Sequence, residues 1–188
     1  MILARRIVLL AALAAATSSA ALGIAGVHVD DQATVGGHGL VLNGAGVRKR
    51  LVFRIYVGSL YVPDKAATAQ AILAQSPRRI QLSVLRDISA DQLIGALLDG
   101  LKENTTASEM QAISIATGEM AAIMKSFGHA KEGSVVTLDF VDGATTIGLD
   151  GESRGTIDGE AFNAALTRIW IGDHPVQADL KKAMLGGA

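Results

Sequence analysis

The sequence predicts an α+β fold, a curved and mainly antiparallel sheet with helices packed over one face. Three observations carry this. Strand-like, period-two alternation runs through most of Val27 to Val62. Helical stripes with start signals fill the middle, from Ser89 to Phe127. Two strand runs joined by Asp142-Gly143 then return before a pair of closing helices. Strands first, helices, a hairpin and helices again exclude an alternating βαβ plan.

Taken in order, the chain opens with a transport segment. Arg5 and Arg6 form a basic start, Ile7 to Ala16 is apolar, and Thr17-Ser18-Ser19-Ala20-Ala21 supplies small residues. This is the pattern of a signal peptide over residues 1–21, cleaved after Ala20 or Ala21, with the folded domain over 27–188. The protein is then expected in the periplasm or secreted, with no stable membrane insertion after cleavage. It has no cysteine, so neither disulfides nor a cysteine-linked lipid anchor are available to it. Stability must come from one core, which a domain of about 165 residues can bury.

From Val27 to Val62 the turn signals are Gly36-Gly37, Asn43-Gly44 and Gly46. Leu51, Phe53, Ile55 and Val57 alternate with Val52, Arg54, Tyr56 and Gly58, so a regular strand puts Arg54 and Tyr56 on one face. Pro63-Asp64 opens a short helix through Gln75, and Pro77 stops it. Arg79 to Arg86 is a strand with Ile80, Leu82 and Val84 on one side.

Ser89-Ala90-Asp91-Gln92 fits a capping box, and Leu93, Ile94, Leu97, Leu98 and Leu101 follow on one face. Ser108-Glu109-Met110-Gln111 repeats the signature ahead of an amphipathic helix carrying Met110, Ile113, Met120, Met124 and Phe127. Val135 to Val141 and Thr145 to Leu149 make the hairpin, Asp150-Gly151 a second turn, and Gly155 to Ile157 a further short strand. A helix from Gly159 to Ile171 buries Phe162, Leu166, Ile169 and Trp170. The last helix starts near Pro175 and buries Val176, Leu180 and Met184.

Composition excludes several function classes. The chain holds 17 basic and 18 acidic residues, and loss of Arg5 and Arg6 leaves 15 against 18, a net charge of −3 with His neutral. No basic stripe interleaved with aromatics points to nucleic acid. Gly44-Ala45-Gly46 begins like a dinucleotide fingerprint but lacks its third glycine, and no P-loop or nucleophile elbow is present. His28, His38, His129 and His174 are scattered, with no metal-ligand spacing.

What remains is the stretch from Asn43 to Val62. Glycines precede the cations Arg48-Lys49-Arg50, and a strand follows that ends in tyrosines. A guanidinium and a phenol beside an apolar pocket suit an organic anion, a carboxylate or phenolate. A plainer reading has Arg48 and Tyr56 only tying the sheet together. Arg54, on the predicted face of Tyr56, and Arg86, beside Asp87, are weaker candidates for the same clamp.

The order of these pieces resembles the bacterial branch of the chalcone isomerase-like family. The resemblance is carried by Gly44-Ala45-Gly46-Val47-Arg48 with Val52 to Tyr61, by Pro77 to Ile80 leading to Leu85 to Ser89, by Asp99 to Asn104, and by Gly159 to Phe162 with Ile169 to Val176. It implies an open-faced β-sandwich, a large antiparallel sheet backed by helices, with a ligand between the layers and no metal or redox cofactor. Arg48 looks like the family arginine associated with an anionic ligand. Tyr56 looks like the tyrosine of fatty-acid-binding members, and Asn104 like a family polar position. Two functions follow as expectations. One is binding of a fatty acid or similar amphipathic anion by Arg48 and Tyr56. The other is a cofactor-independent isomerase, an intramolecular lyase that closes a phenolic enone such as a chalcone, with the phenolate preorganised near its electrophilic carbon.

Overall fold

The computed structural model describes residues 22–187, so the expected signal peptide lies outside the described residues. In chain order the elements are β1 (Leu22–Ile24), β2 (Val27–Val29), β3 (Gln32–Val35), β4 (His38–Arg50), β5 (Phe53–Val62), α1 (Ala69–Leu73), β6 (Arg78–Val84), β7 (Ile88–Ser89) and α2 (Ala90–Glu103). There follow α3 (Ala107–Ala112), α4 (Ser114–Lys125), β8 (His129–Ala130), β9 (Val135–Val141), β10 (Ala144–Leu149), β11 (Glu152–Asp158), α5 (Glu160–Ile171) and α6 (Ala178–Met184). Among the described residues, seven strands form one sheet in the order β11-β10-β9-β6-β5-β4-β3. Every neighbouring pair is antiparallel.

Alternation decides which face is covered. Leu60, Leu82, Val136, Leu138 and Ile147 face the helices and meet Leu97, Leu101, Phe162, Leu166 and Trp170 in one continuous core. The opposite face carries only a small cluster of Val35, Leu40 and Tyr61. Beside it Arg79 clasps Asp139 across β6 and β9 with two bonds of 2.6 Å. The sheet is thus backed on one side and open on the other, as the α+β, open-faced expectation requires.

Local signals held at several places. Gly36-Gly37, Asp142-Gly143 and Asp150-Gly151 all turn through positive φ, the backbone a tight hairpin demands. The capping box of α2 is present, with Gln92 N–H donating to Ser89 Oγ at 3.2 Å and Ser89 N–H to Gln92 Oε1 at 3.0 Å.

Elsewhere tertiary packing moved the boundaries. No turn occurs at Asn43-Gly44 or Gly46; β4 continues through them, with a register shift at Asn43. Its glycines serve close approach instead, because a Cβ on Gly44 would stand 2.0 Å from the Ala183 carbonyl oxygen of α6. Asn43 spends its amide on α6 and the loop before α1, donating to Met184 O at 2.7 Å and Ala66 O at 3.0 Å. The real β4–β5 turn falls at Leu51-Val52, where Leu51 adopts φ 56. The capping box expected at Ser108 belongs to Thr106 and Glu109, and the expected single helix behind it breaks at Ile113. Ile113 is buried by that break. α1 starts at Ala69, capped by Thr68, well after Pro63. α6 begins at Ala178 and not near Pro175; Gln177, its extended N-cap, bonds to β4 through its side chain.

Candidate functional site

The site begins with a register. Arg48 of β4 lies directly across from Tyr56 of β5, so the two side chains share the helix-facing side of the sheet. One step further Lys49 pairs with Arg54, which leaves Ile55 as an extra residue on β5. That bulge turns the strand. Phe53, Ile55 and Tyr56 all line one cavity, while Arg54 is exposed and does not. The expectation that Arg54 shares the face of Tyr56 fails for this reason.

The cavity has a volume of about 350 Å³ and lies between the sheet and helices α2 and α5. This is at the lower end of the range for small-molecule pockets, roughly 300–1,000 Å³. Its walls are Leu82 from β6, Leu93, Ala96 and Leu97 from α2, Ile169 and Trp170 from α5, and Val176. Leu93 and Leu97 face it because they sit four apart on α2, and Ile169 and Trp170 because α5 is apolar around most of its circumference. Arg48, Arg50 and Arg86 also line the cavity against a single carboxylate, Asp87. The excess of cations favours an anionic occupant.

Two polar groups are set within this apolar wall. The Tyr56 hydroxyl is buried and accepts a hydrogen bond from Trp170 Nε1–H at 3.0 Å. Its own proton has no acceptor among the described residues. Burial pushes the phenol up to about 12, with the Trp170 bond and the Arg48 charge pulling the other way. Tyr56 is therefore a neutral donor throughout the physiological range. Arg48 Nη1 donates to the Lys49 carbonyl oxygen and, at 3.4 Å, to Gln177 Oε1. The guanidinium also lies within hydrogen-bonding reach of the Tyr56 oxygen, so the two groups form one polar pair at the cavity wall.

Gln177 was not singled out in the sequence, yet it positions the clamp. Its Oε1 accepts from Lys49 N–H at 2.8 Å, and its Nε2 donates to Val47 O at 3.1 Å. It thus staples the strand on both sides of Arg48 to the start of α6. A glutamine two residues after a proline carries no sequence signal for this role. Trp170 was expected as a core residue, and its indole N–H bond to Tyr56 became visible only in three dimensions.

Asn104 lies elsewhere. It ends α2, donates to Gly100 O at 3.0 Å and His174 O at 2.7 Å, and accepts from His174 N–H at 3.2 Å. It is not among the cavity-lining residues, and its amide is spent joining α2 to the segment after α5. Arg86 stays at the mouth, its guanidinium stacked over the Phe53 ring at 4.3 Å. Asp87 Oδ1 accepts from Glu132 N–H at 2.9 Å. Among the described residues no group of three or more His, Cys, Asp or Glu side chains is arranged to hold a metal ion.

The family profile for chalcone isomerase-like proteins matches residues 21–186. The chain belongs to the chalcone isomerase-like family. No curated protein matches the sequence. Among solved structures, the crystal structure of a fatty-acid binding protein of Arabidopsis thaliana is similar at a TM-score of 0.65 and 15% identity, covering 88% of this chain and 96% of that one. At that identity the likeness establishes a shared fold.

Proposed function

We propose that this protein binds a fatty acid or a similar amphipathic organic anion, with its head group on Arg48 and Tyr56 and its tail in the cavity beneath α2 and α5. One observation carries the reading. A guanidinium and a phenol whose oxygen, not its proton, is engaged by Trp170 stand side by side at an apolar cavity lined by three arginines and one aspartate. A carboxylate accepts from both donors, and the charge-assisted bonds are worth more where water is scarce. The solved fatty-acid binding neighbour is consistent with this use of the fold.

No serine or threonine hydroxyl is among the lining residues, and Gln92 is spent on its capping box. A single clamp in an apolar wall favours holding an anion over guiding ring closure. Export follows the N-terminal pattern of residues 1–21, and the intact mass of the secreted protein tests it.

The experiment is native mass spectrometry of the purified protein, followed by denaturing extraction, on wild type and Arg48→Ala. A co-purifying organic acid that is lost in Arg48→Ala supports the reading and names the ligand class. A wild-type protein that stays empty even when incubated with medium- and long-chain fatty acids overturns it, and chalcone cyclisation then becomes the assay of choice.

A further inference from the structure

The tip of the β4–β5 hairpin is the least protein-like surface of this fold. Lys49, Arg50, Leu51, Val52, Phe53 and Arg54 are six consecutive exposed residues. Leu51 is 90% exposed, Val52 87% and Phe53 50%, three adjoining large apolar side chains in water. Their neighbours are all cationic, and Arg86 stacks on Phe53 from the adjoining loop. From residue 32 to residue 63 the sequence has four cations and no Asp or Glu. A hairpin tip that met only solvent would have no use for this combination.

We propose that this tip docks on an anionic lipid bilayer, with Leu51, Val52 and Phe53 entering the headgroup boundary and the surrounding cations on lipid phosphates. Apolar side chains ringed by Lys and Arg are the composition of interfacial anchors, and the long cationic stems reach outward while their charges stay in the polar layer. A bilayer is chosen over a protein partner because the patch is small and the charged residues flanking its apolar side chains, Lys49, Arg50 and Arg54, are all cationic. An anionic membrane surface supplies apolar depth and negative charge together. The contact is peripheral; no helix among the described residues is long and apolar enough to cross a membrane.

The placement gives the contact a consequence. Arg50, Leu51 and Phe53 also line the cavity, so its mouth faces the docked surface. An amphipathic molecule leaving the bilayer would enter beside the tip without crossing bulk water. The docking itself holds whatever the cavity carries.

The test is co-sedimentation with vesicles of phosphatidylglycerol and phosphatidylcholine, against vesicles of phosphatidylcholine alone. Wild type is expected to partition onto the anionic vesicles and not onto the neutral ones. Lys49→Gln with Arg54→Gln should weaken partition by roughly 25-fold, about fivefold for each cation removed. Val52→Asp should weaken it at least tenfold, on the order of the loss of one buried apolar side chain. None of these three residues lines the cavity, so extraction of a co-purified ligand should be unchanged. A Val52→Trp variant adds a local reporter, whose emission should shift to shorter wavelength on anionic vesicles while Trp170 stays buried. The proposal is overturned by partition that ignores these substitutions, by an unshifted Val52→Trp emission, or by a dimer in solution that Val52→Asp dissociates.

Discussion

Trp170 donates its indole N–H to the Tyr56 hydroxyl at 3.0 Å, and by occupying the oxygen it leaves the phenol proton to an incoming ligand. Trp170 is the chain's single tryptophan and part of the cavity wall, so ligand entry is readable in its emission. Tyr56→Phe keeps the ring and its packing and removes only the hydroxyl. The expected loss of affinity for a fatty acid is about tenfold, the value of one hydrogen bond to a charged group. An unchanged affinity would remove Tyr56 from the clamp.

Both tyrosines of the chain should titrate late. Burial raises Tyr56 to about 12, and burial with the Asp30 charge raises Tyr61 to about 12, against 10.0 for a free phenol. Phenolate absorbance should thus stay low through pH 10 in the folded protein and appear near 10 in denaturant. The sign for stability follows. The unfolded chain loses these protons first, so their contribution is complete below pH 10 and declines as pH rises from 10 toward 12. Tyr56→Phe should flatten part of that decline in a denaturation series.

Gln177→Ala tests positioning. The substitution frees Arg48 from Gln177 Oε1 and removes the bonds from Lys49 N–H and to Val47 O. Since Gln177 does not line the cavity, a weaker affinity for ligand would act through Arg48. Affinity is expected to fall about fivefold, with a stability loss of about 1 kcal/mol because these groups are exposed enough to meet water. A loss of stability with affinity intact would make Gln177 a staple alone.

Gly44→Ala should be strongly destabilising although it adds one methyl group. Its Cβ would stand 2.0 Å from Ala183 O, a backbone atom that only a shift of α6 can move. A cost of about 2 kcal/mol or more is expected from thermal or urea unfolding. Wild-type stability would show that α6 is loosely seated.

Asn104→Ala separates the two meanings of a polar position. Its amide joins Gly100, His174 and the end of α2, so unfolding should become easier by about 1–2 kcal/mol. Ligand affinity should stay within twofold, because Asn104 is not among the lining residues. A selective loss of binding would restore Asn104 to the site.

Much of the fold was legible because its signals are local. The α2 capping box, the Asp142-Gly143 turn and the α5 apolar face each depend on residues within a few positions of one another. The misplaced boundaries share one cause. Gly44 and Gly46 look like turn residues in sequence, but α6, contacted more than a hundred residues later, is what requires them. The cap expected at Ser108 falls at Thr106 because Glu109 is engaged at a distance, accepting from Thr106 N–H at 2.7 Å and from Arg168 on α5 at 2.9 Å.

The sequence by itself determined the α+β class, the alternation that separates a covered sheet face from an open one, and the run of glycines, cations and tyrosines that contains Arg48 and Tyr56. Only the tertiary structure decided that they are partners in register, that the bulge at Ile55 turns Arg54 away, and that Gln177 and Trp170 hold them in place. The reason is physical. Periodicity is set by the dihedrals of a single strand, whereas register and side-chain pairing are set by which distant segments pack together, and one extra residue in a ladder reverses the direction of everything beyond it.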